Sequence, residues 1–226
     1  EIELTLVNDY IESINLYTAG QFDACTMTNM DALTIPAAGG IDSTALIIGD
    51  YSAGNDGIVM RNAKSITDLK GKDVLLVELS VSHYLLARAL EMHGMSERDI
   101  RVVNTSDADI ASAFVAQKDV AVVTWNPPLQ QVRQVKNANL LFDSAKIPAE
   151  ILDLTLVKTG ADERFKKALT GAWYETMAMM NGGGKAQKDA ISAMAAPGVP
   201  ATGHPGAEGR AGSPLRPRRP ARTTPS

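Results

Sequence analysis

The strongest constraint on the fold is a regular alternation of short apolar runs with helix-like segments between residues 74 and 124. Residues 74–77 form an apolar run typical of a buried strand, and Ser80 or Ser82 can cap the helix that follows. The apolar residues that share one face of this helix are Leu85, Leu86, Ala89 and Leu90. Two more strands are predicted at 101–103 and 121–124, with a helix opened by Ser106 between them. Strands that alternate with helices predict an α/β fold with a parallel sheet.

Apolar runs and helix-like segments also occur before residue 74 and after residue 124. Further strands are predicted at residues 2–7, 24–27, 45–48, 58–60 and 152–157. Helices are predicted from Tyr10, from Asn29 as the capping residue of a short helix, and over residues 164–180. The last helix carries the most regular apolar stripe, which we expect to lie in the core: Phe165, Leu169, Trp173, Met177 and Met180.

Charge and composition exclude several classes of protein. The chain has 226 residues, is 45% hydrophobic and carries a net charge of -4, so it can bury the core of one or two domains. Residues 197–226 contain five arginines and one acid, a net +4, so the remaining residues carry -8. An acidic body argues against nucleic acid or an anionic membrane as the main partner. The Pro/Arg-rich tail, residues 197–226, lacks apolar periodicity and is predicted to be disordered.

The number of cysteines and the length of the apolar runs exclude further classes of protein. Cys25 is the only cysteine, which excludes an intrachain disulfide and a metal site built from several cysteines. No apolar run approaches the roughly 20 residues of a membrane helix, so we expect no membrane insertion of this chain.

Polar side chains follow four of the predicted strands. In an open α/β sheet, ligands bind at the carboxyl ends of the strands, so these residues are the candidate ligand-binding set. They are Thr28 and Asn29; Asp50, Ser52 and Asp56; Glu78, Ser80, Ser82 and His83; and Trp125 and Asn126. For each of them a helix cap or a solvated loop is the structural alternative, above all for Asn29, Ser80 and Ser82.

The residue types in this set suit a small planar cation. Asp50, Asp56 and Glu78 can accept charge-assisted hydrogen bonds, and the Trp125 ring can stack on a cation. Signatures of enzymes, such as a nucleophile elbow, a phosphate loop or a zinc motif, are absent from the sequence. Cys25 and His83 could form a nucleophilic pair, but Cys25 lies in an apolar strand, where an inert thiol is expected. We therefore predict no catalytic residue, no metal and no cofactor.

Four stretches together resemble one family of proteins. They are residues 9–15 (DYIESIN), 26–36 (TMTNMDALTIP), 77–86 (VELSVSHYLL) and 124–127 (TWNP). They resemble the substrate-binding proteins of urea-carboxylase-associated ABC transporters, within the wider group that binds nitrate, sulfonates, taurine or thiamine precursors. The resemblance covers residues 1–196. The turn at 68–72 (DLKGK) is common to the wider group and discriminates little.

The resemblance implies a two-lobed periplasmic-binding-protein fold of type II, with the ligand held between the lobes. Lobe I would comprise residues 1–62 and 147–196 and lobe II residues 63–146, with crossings near 61–62 and 146–147. The ligand would be a small nitrogen compound such as guanidine or urea, handed to ABC permease subunits by a monomer in the periplasm or on a lipid anchor outside the cell. In such proteins a strand and a helix precede the segment that begins here, so lobe I is expected to be incomplete at its N-terminal side, and the C-terminal tail to be atypical.

Two alternatives use the same fold. One is an enzyme of the thiamine-pyrimidine synthesis type, in which His83 or Cys25 would react. The other is the effector-binding domain of a transcriptional regulator.

Overall fold

Two β-sheets organise the part of the chain before residue 160. The computed structural model describes residues 2–195, which divide into two compact units, one ending at Ala172 and the other beginning at Trp173. The strands described are β1 (Ala24–Thr28), β2 (Ser43–Tyr51), β3 (Asp56–Arg61), β4 (Asp73–Leu76), β5 (Arg101–Asn104), β6 (Val120–Trp125), β7 (Ala138–Asp143) and β8 (Leu152–Lys158). The α-helices are α1 (Tyr10–Thr18), α2 (Asn29–Ala32), α3 (Val81–Met92), α4 (Ile110–Ala116), α5 (Pro128–Arg133), α6 (Glu163–Asn181) and α7 (Gly184–Ala195).

The smaller sheet is antiparallel, with the strand order β1-β8-β2. Helix α1 packs on it because Ile14 and Tyr17 are fully buried against Met27 of β1 and Leu154 of β8. The helix starts where the Asp9 carboxylate accepts a hydrogen bond from the Glu12 amide at 2.8 Å, which satisfies one of the free N–H groups of the first turn.

The larger sheet has the order β5-β4-β6-β3-β7 and is covered on both faces. Its β4 strand runs parallel to β5 and β6, whereas β3 runs antiparallel to β6 and β7. The apolar side of α3 lies on one face, with Leu85 and Leu86 fully buried. Phe114 of α4 and Leu129 of α5 are buried on the opposite face. More buried residues pack on this sheet than on the smaller one, so it holds most of the core described. Burial of each such side chain contributes about 1.5–3 kcal/mol.

Several sequence predictions are confirmed in this region and others are wrong. The units β4-α3-β5 and α4-β6 form as predicted, and Ser80 is the N-cap of α3. The sheets are not purely parallel, because β3 joins the larger sheet by antiparallel pairing and the smaller sheet is antiparallel throughout. Thr28, one residue earlier than predicted, caps α2, and α4 begins at Ile110 rather than at Ser106. Strand β7 and helix α5 were not predicted.

The strand predicted at residues 2–7 does not form. A strand needs a neighbour to pair its backbone groups, and neither edge of the smaller sheet takes up this segment. Its Leu4 and Leu6 side chains are exposed.

The chain passes between the sheets twice. It leaves the smaller sheet between Tyr51 and Asp56, ahead of the predicted crossing at 61–62, because β3 belongs to the larger sheet. It returns between Asp143 and Leu152, a stretch that includes the predicted crossing at 146–147. The lobe boundaries themselves stay a prediction.

Helix α6 differs from its prediction in burial. Its length agrees with the predicted range, but none of its residues is buried, and Met177 is 37% exposed. An apolar stripe is buried only where another apolar layer covers it fully, and the residues described offer no such layer. No helix within residues 2–195 is long and apolar enough to cross a membrane. The tail predicted to be disordered lies outside the described residues.

Candidate functional site

Four aspartates lie near one another where the two sheets meet. Asp50 of β2 and Thr28 of β1 stand directly opposite Asp153 of β8, so their side chains share one face of the smaller sheet. Asp31 of α2 and Asp56 of β3 are close enough for their charges to raise the pKa of Asp153. The four aspartates, Asp31, Asp50, Asp56 and Asp153, are called the carboxylate cluster below.

Asp31 is held by two hydroxyl groups. Tyr10 Oη and Thr28 Oγ1 each donate to Asp31 Oδ2 at 2.6 Å, and the Thr28 amide donates to Tyr10 Oη at 3.0 Å. Asp31 is fully buried, yet its other oxygen, Oδ1, has no hydrogen-bond partner. Burial raises the pKa of Asp31, while these hydroxyl groups and the Val81 amide at the start of α3 oppose the rise. The Val81 amide acts on the pKa of Asp31 but makes no geometrically sound hydrogen bond to Oδ1, so this buried oxygen is left unpaired, which is costly.

Tyr10 also forms part of an aromatic wall. Its ring centroid lies 5.4 Å from that of Trp125, with the ring planes at 60°. Burial and the nearby Asp31 charge raise the pKa of Tyr10 well above its usual value, which keeps the phenol neutral and able to donate. Trp125 is the last residue of β6 and pairs in register with Asp56. The aromatic wall, Tyr10 and Trp125, therefore lies beside the carboxylate cluster.

Asp56 lies at the crossing between the sheets. Ser52 Oγ donates to Asp56 Oδ2 and lies 2.7 Å from Ser144 Oγ, and the Gly54 amide donates to Ser144 Oγ at 2.8 Å. Burial raises the pKa of Asp56, the bond from Ser52 lowers it, and the charges of Asp31 and Asp50 raise it again. The serines thus join the two crossing segments and fix the position of this carboxyl group.

The charges that act on the carboxylate cluster are negative. Burial and the bond with Asp50 raise the pKa of Asp153 from 3.8 to about 7. Among the described residues, no lysine or arginine takes part in setting the pKa of Asp31, Asp56 or Asp153. The cluster lacks a positive charge of its own.

The structure brings together some of the residues predicted to bind ligand. Thr28, Asp50, Ser52, Asp56 and Trp125 contact or neighbour the cluster and its aromatic wall. The start of α3 faces Asp31 through the Val81 amide, between Ser80 and Ser82. Ser80 Oγ donates to the Val77 carbonyl and accepts from the Ser82 amide, and the buried Ser82 Oγ has no hydrogen-bond partner.

The remaining predicted residues make other contacts. The Asn29 side chain bonds to the Glu150 carbonyl and the Leu152 amide, which ties α2 to the segment before β8. Glu78 is exposed, and its amide donates to Asn104 Oδ1 at 2.9 Å. His83 Nδ1 accepts from the Leu79 amide, and its Nε2 lies 3.2 Å from Glu97 without hydrogen-bond geometry. The Asn126 side chain bonds to Asn55.

Cys25 and His83 do not form a nucleophilic pair. Cys25 Sγ contacts Ser13 Oγ at 3.9 Å, and burial raises the pKa of the thiol, which disfavours the reactive thiolate. His83 has the separate partners named above. Within residues 2–195 no group of three or more metal-ligating side chains is placed to hold a metal ion.

Sequence reasoning missed Tyr10, Asp31 and Asp153. Tyr10 opens a helix predicted from its apolar spacing, and that pattern gives no sign of a partner for its hydroxyl group. Asp31 stands three residues after Thr28, a spacing typical of helix caps, and this was the one local signal. Asp153 alternates with Leu152 and Leu154 along β8, so it lies on the opposite face from the core.

Residues 2–161 match the model of the NMT1/THI5-like family. The chain belongs to this family. A relative named "Putative binding protein" from Brucella abortus (strain 2308) is 30% identical over 105 residues, which are 46% of this chain and 32% of the relative.

Solved structures support the fold of this NMT1/THI5-like chain. The alkanesulfonate-binding protein SsuA from Xanthomonas axonopodis pv. citri, bound to MOPS, has a TM-score of 0.64 at 21% identity, covering 79% of this chain and 61% of that one. The periplasmic aliphatic sulphonate binding protein SsuA from Escherichia coli has a TM-score of 0.62 at 20% identity, covering 80% and 62%. The chain has the periplasmic-binding-protein fold, and it spans about three fifths of each of these proteins.

Proposed function

We propose that this chain is a solute-binding component of an ABC importer, and that it captures a small nitrogen compound of the guanidine or urea type between its two sheets. The family match and the names of the relatives support the first part, because binding proteins recur among them. The second part rests on one observation, the carboxylate cluster around the unpartnered Asp31 Oδ1.

The charge of the cluster favours a cation over a sulfonate. An anion requires arginine, lysine or several N–H donors at the site, because carboxylates repel it. Burial raises the pKa values of Asp31, Asp56 and Asp153, and the charges of neighbouring aspartates raise those of Asp56 and Asp153 as well, so a positive ligand would relieve this repulsion.

The shape of the site favours a planar cation. A guanidinium group presents several N–H donors in one plane, which matches carboxylate oxygens such as Asp31 Oδ1. The rings of Tyr10 and Trp125 offer an aromatic face for the same cation, worth about 0.5–2 kcal/mol. A urea-like amide shares the donor geometry but not the charge.

The partners and location follow from this function. The protein would deliver its ligand to ABC permease subunits, act as a monomer and work outside the cytoplasmic membrane, in the periplasm or on a lipid anchor. No chemical conversion of the ligand is proposed, since the half-buried Cys25 thiol has a raised pKa and contacts Ser13 rather than a base.

A thermal-shift titration with guanidinium chloride, urea, nitrate and taurine tests the proposal. A ligand that binds only the folded state raises stability by RT ln(1 + [L]/Kd), about 2.7 kcal/mol at a hundredfold excess over Kd. We expect guanidinium or urea to raise Tm, Asp31→Asn to abolish the shift, and Asp23→Asn, at an exposed aspartate between α1 and β1, to preserve it. A shift with nitrate or taurine alone would contradict the cationic site.

A further inference from the structure

The two crossings between the sheets meet at one point. Tyr51, the last residue of β2, pairs with Leu152, the first residue of β8, and both belong to the smaller sheet. Beside this pair, the Ser52 amide donates to the Ile151 carbonyl at 2.9 Å, and the Ser52 hydroxyl group donates to Asp56 of the larger sheet. The chain therefore changes sheet at two adjacent peptide links. Small changes of φ and ψ at such links rotate one layer against the other.

The second crossing is fixed to the larger sheet up to Ile151, which is 1% exposed and lies in the core under α3. The Glu150 carboxylate accepts from Arg88 Nε at 2.9 Å and from Tyr84 Oη at 2.6 Å, and both of these donors belong to α3. Ala149 has a φ of 60°, a left-handed conformation that a residue other than glycine keeps only where its surroundings hold it. Rotation between the sheets is thus concentrated beyond Glu150.

The Asn29 side chain holds the peptide groups on both sides of Ile151. Its Nδ2 donates to the Glu150 carbonyl at 3.1 Å, and its Oδ1 accepts from the Leu152 amide at 3.0 Å. Asn29 is the first residue of α2 and directly follows Thr28, the end of β1, so it moves with the smaller sheet. Rotation about φ or ψ of Ile151 breaks at least one of these two bonds.

We propose that Ile151, with Ser52 beside it, is the pivot of a hinge between the two sheets, and that Asn29 is a positioning residue that braces this hinge in one orientation. In that orientation the Tyr10 ring lies 5.4 Å from the Trp125 ring on the other sheet. Rotation about the pivot moves the two rings apart. The brace therefore sets the fraction of molecules in which the aromatic wall is assembled, whatever ligand binds there.

Double electron–electron resonance between two nitroxide labels on the full chain measures the orientation of the sheets. The labels are attached at Asp23→Cys, just before β1, and at Lys118→Cys, just before β6, in a Cys25→Ser background. Both positions are exposed and lie at the strand ends remote from the crossings. Strands of this length span about 17 Å, so a rotation of about 15° moves the second label by about 4 Å relative to the smaller sheet.

Two variants of Asn29 should have graded effects. Asn29→Asp keeps the bond from the Leu152 amide and loses the bond to the Glu150 carbonyl, so the rotated population should rise about fivefold. Asn29→Ala loses both bonds, and the rise should be roughly 25-fold. Asn139→Ala is the matched control, because the Asn139 amide group donates to the Ala63 carbonyl at 2.9 Å without joining the two sheets. Its distance distribution should stay as in the labelled parent.

The outcomes decide the hinge independently of the proposed ligand. A second distance in the Asn29 variants alone would support the brace. An unchanged distribution in both Asn29 variants, or an equal change in Asn139→Ala, would overturn it. Circular dichroism checks that each variant folds. If Asn29→Ala loses helical signal, Asn29→Asp carries the test, since it keeps the bond that holds Leu152.

Discussion

The Tyr10 hydroxyl group is the link between the aromatic wall and the carboxylate cluster, and Tyr10→Phe removes it while keeping the ring against Trp125. The variant loses the 2.6 Å bond to Asp31 Oδ2, which is worth about 1.5–3 kcal/mol because a carboxyl group accepts it. It also leaves the Thr28 amide without its acceptor, at a further cost of about 1 kcal/mol or more. We expect a loss of about 3 kcal/mol in the free energy of unfolding.

Tyr17→Phe is the matched control for this variant. Tyr17 lies in the same helix, and its hydroxyl group makes one neutral hydrogen bond, to Ser43 Oγ at 2.8 Å. The expected loss is about 0.5–1.5 kcal/mol. Urea unfolding followed by circular dichroism measures both values, and Tm should fall by roughly 6–12 °C for Tyr10→Phe. A loss for Tyr10→Phe no larger than that for Tyr17→Phe would refute the role assigned to this hydroxyl group.

Three further predictions concern pH, packing and thiol reactivity. The pKa of Asp153 is raised from 3.8 to about 7 on folding, so between these pH values the folded, ligand-free protein binds more protons than the unfolded chain. Its stability should therefore fall as the pH rises from 3.8 to about 7. Asp153→Asn should therefore raise Tm at about pH 8 but not at about pH 4, and an equal change at both would contradict this. Leu85→Ala, at a fully buried site of α3, should cost about 2–5 kcal/mol in urea unfolding, whereas a cost below about 1 kcal/mol would disprove the packing. Cys25, with its raised pKa, should react with iodoacetamide more slowly than a cysteine in an unfolded peptide at the same pH; equal rates would count against its burial.

Local sequence patterns were sufficient to predict those elements whose apolar face is buried in the core. Helix α3 was predicted correctly because Leu85 and Leu86 recur on one side and Ser80 provides its cap, all within a few turns. The same reasoning failed for residues 2–7 and for the stripe of α6. In both cases the pattern is compatible with a strand or a buried helix, but the outcome depends on whether a distant segment pairs with it or covers it.

Only part of the candidate site could be predicted from the sequence, for a related reason. Asp50 and Asp56 lie near the end of β2 and at the start of β3, so a search of the strand ends could find them, whereas Asp153 joins them only through the register of β8 with β2. Asp31 and Tyr10 meet across 21 residues of chain by one hydrogen bond between helices. Such contacts are set by tertiary pairing, which no local spacing encodes. Glu78, in contrast, follows a buried strand as the rule requires, but it turns to solvent.

The central claim is that a planar cation binds in the carboxylate cluster beside Tyr10 and Trp125. A crystal structure of the full chain grown with guanidinium chloride tests it most directly. The account predicts guanidinium nitrogens within hydrogen-bond distance of Asp31 Oδ1 and of the carboxyl groups of Asp50 and Asp153, with the plane of the ion against the aromatic wall. Guanidinium bound only elsewhere on the protein, or an anion from the crystallisation medium held by the cluster itself, would contradict it.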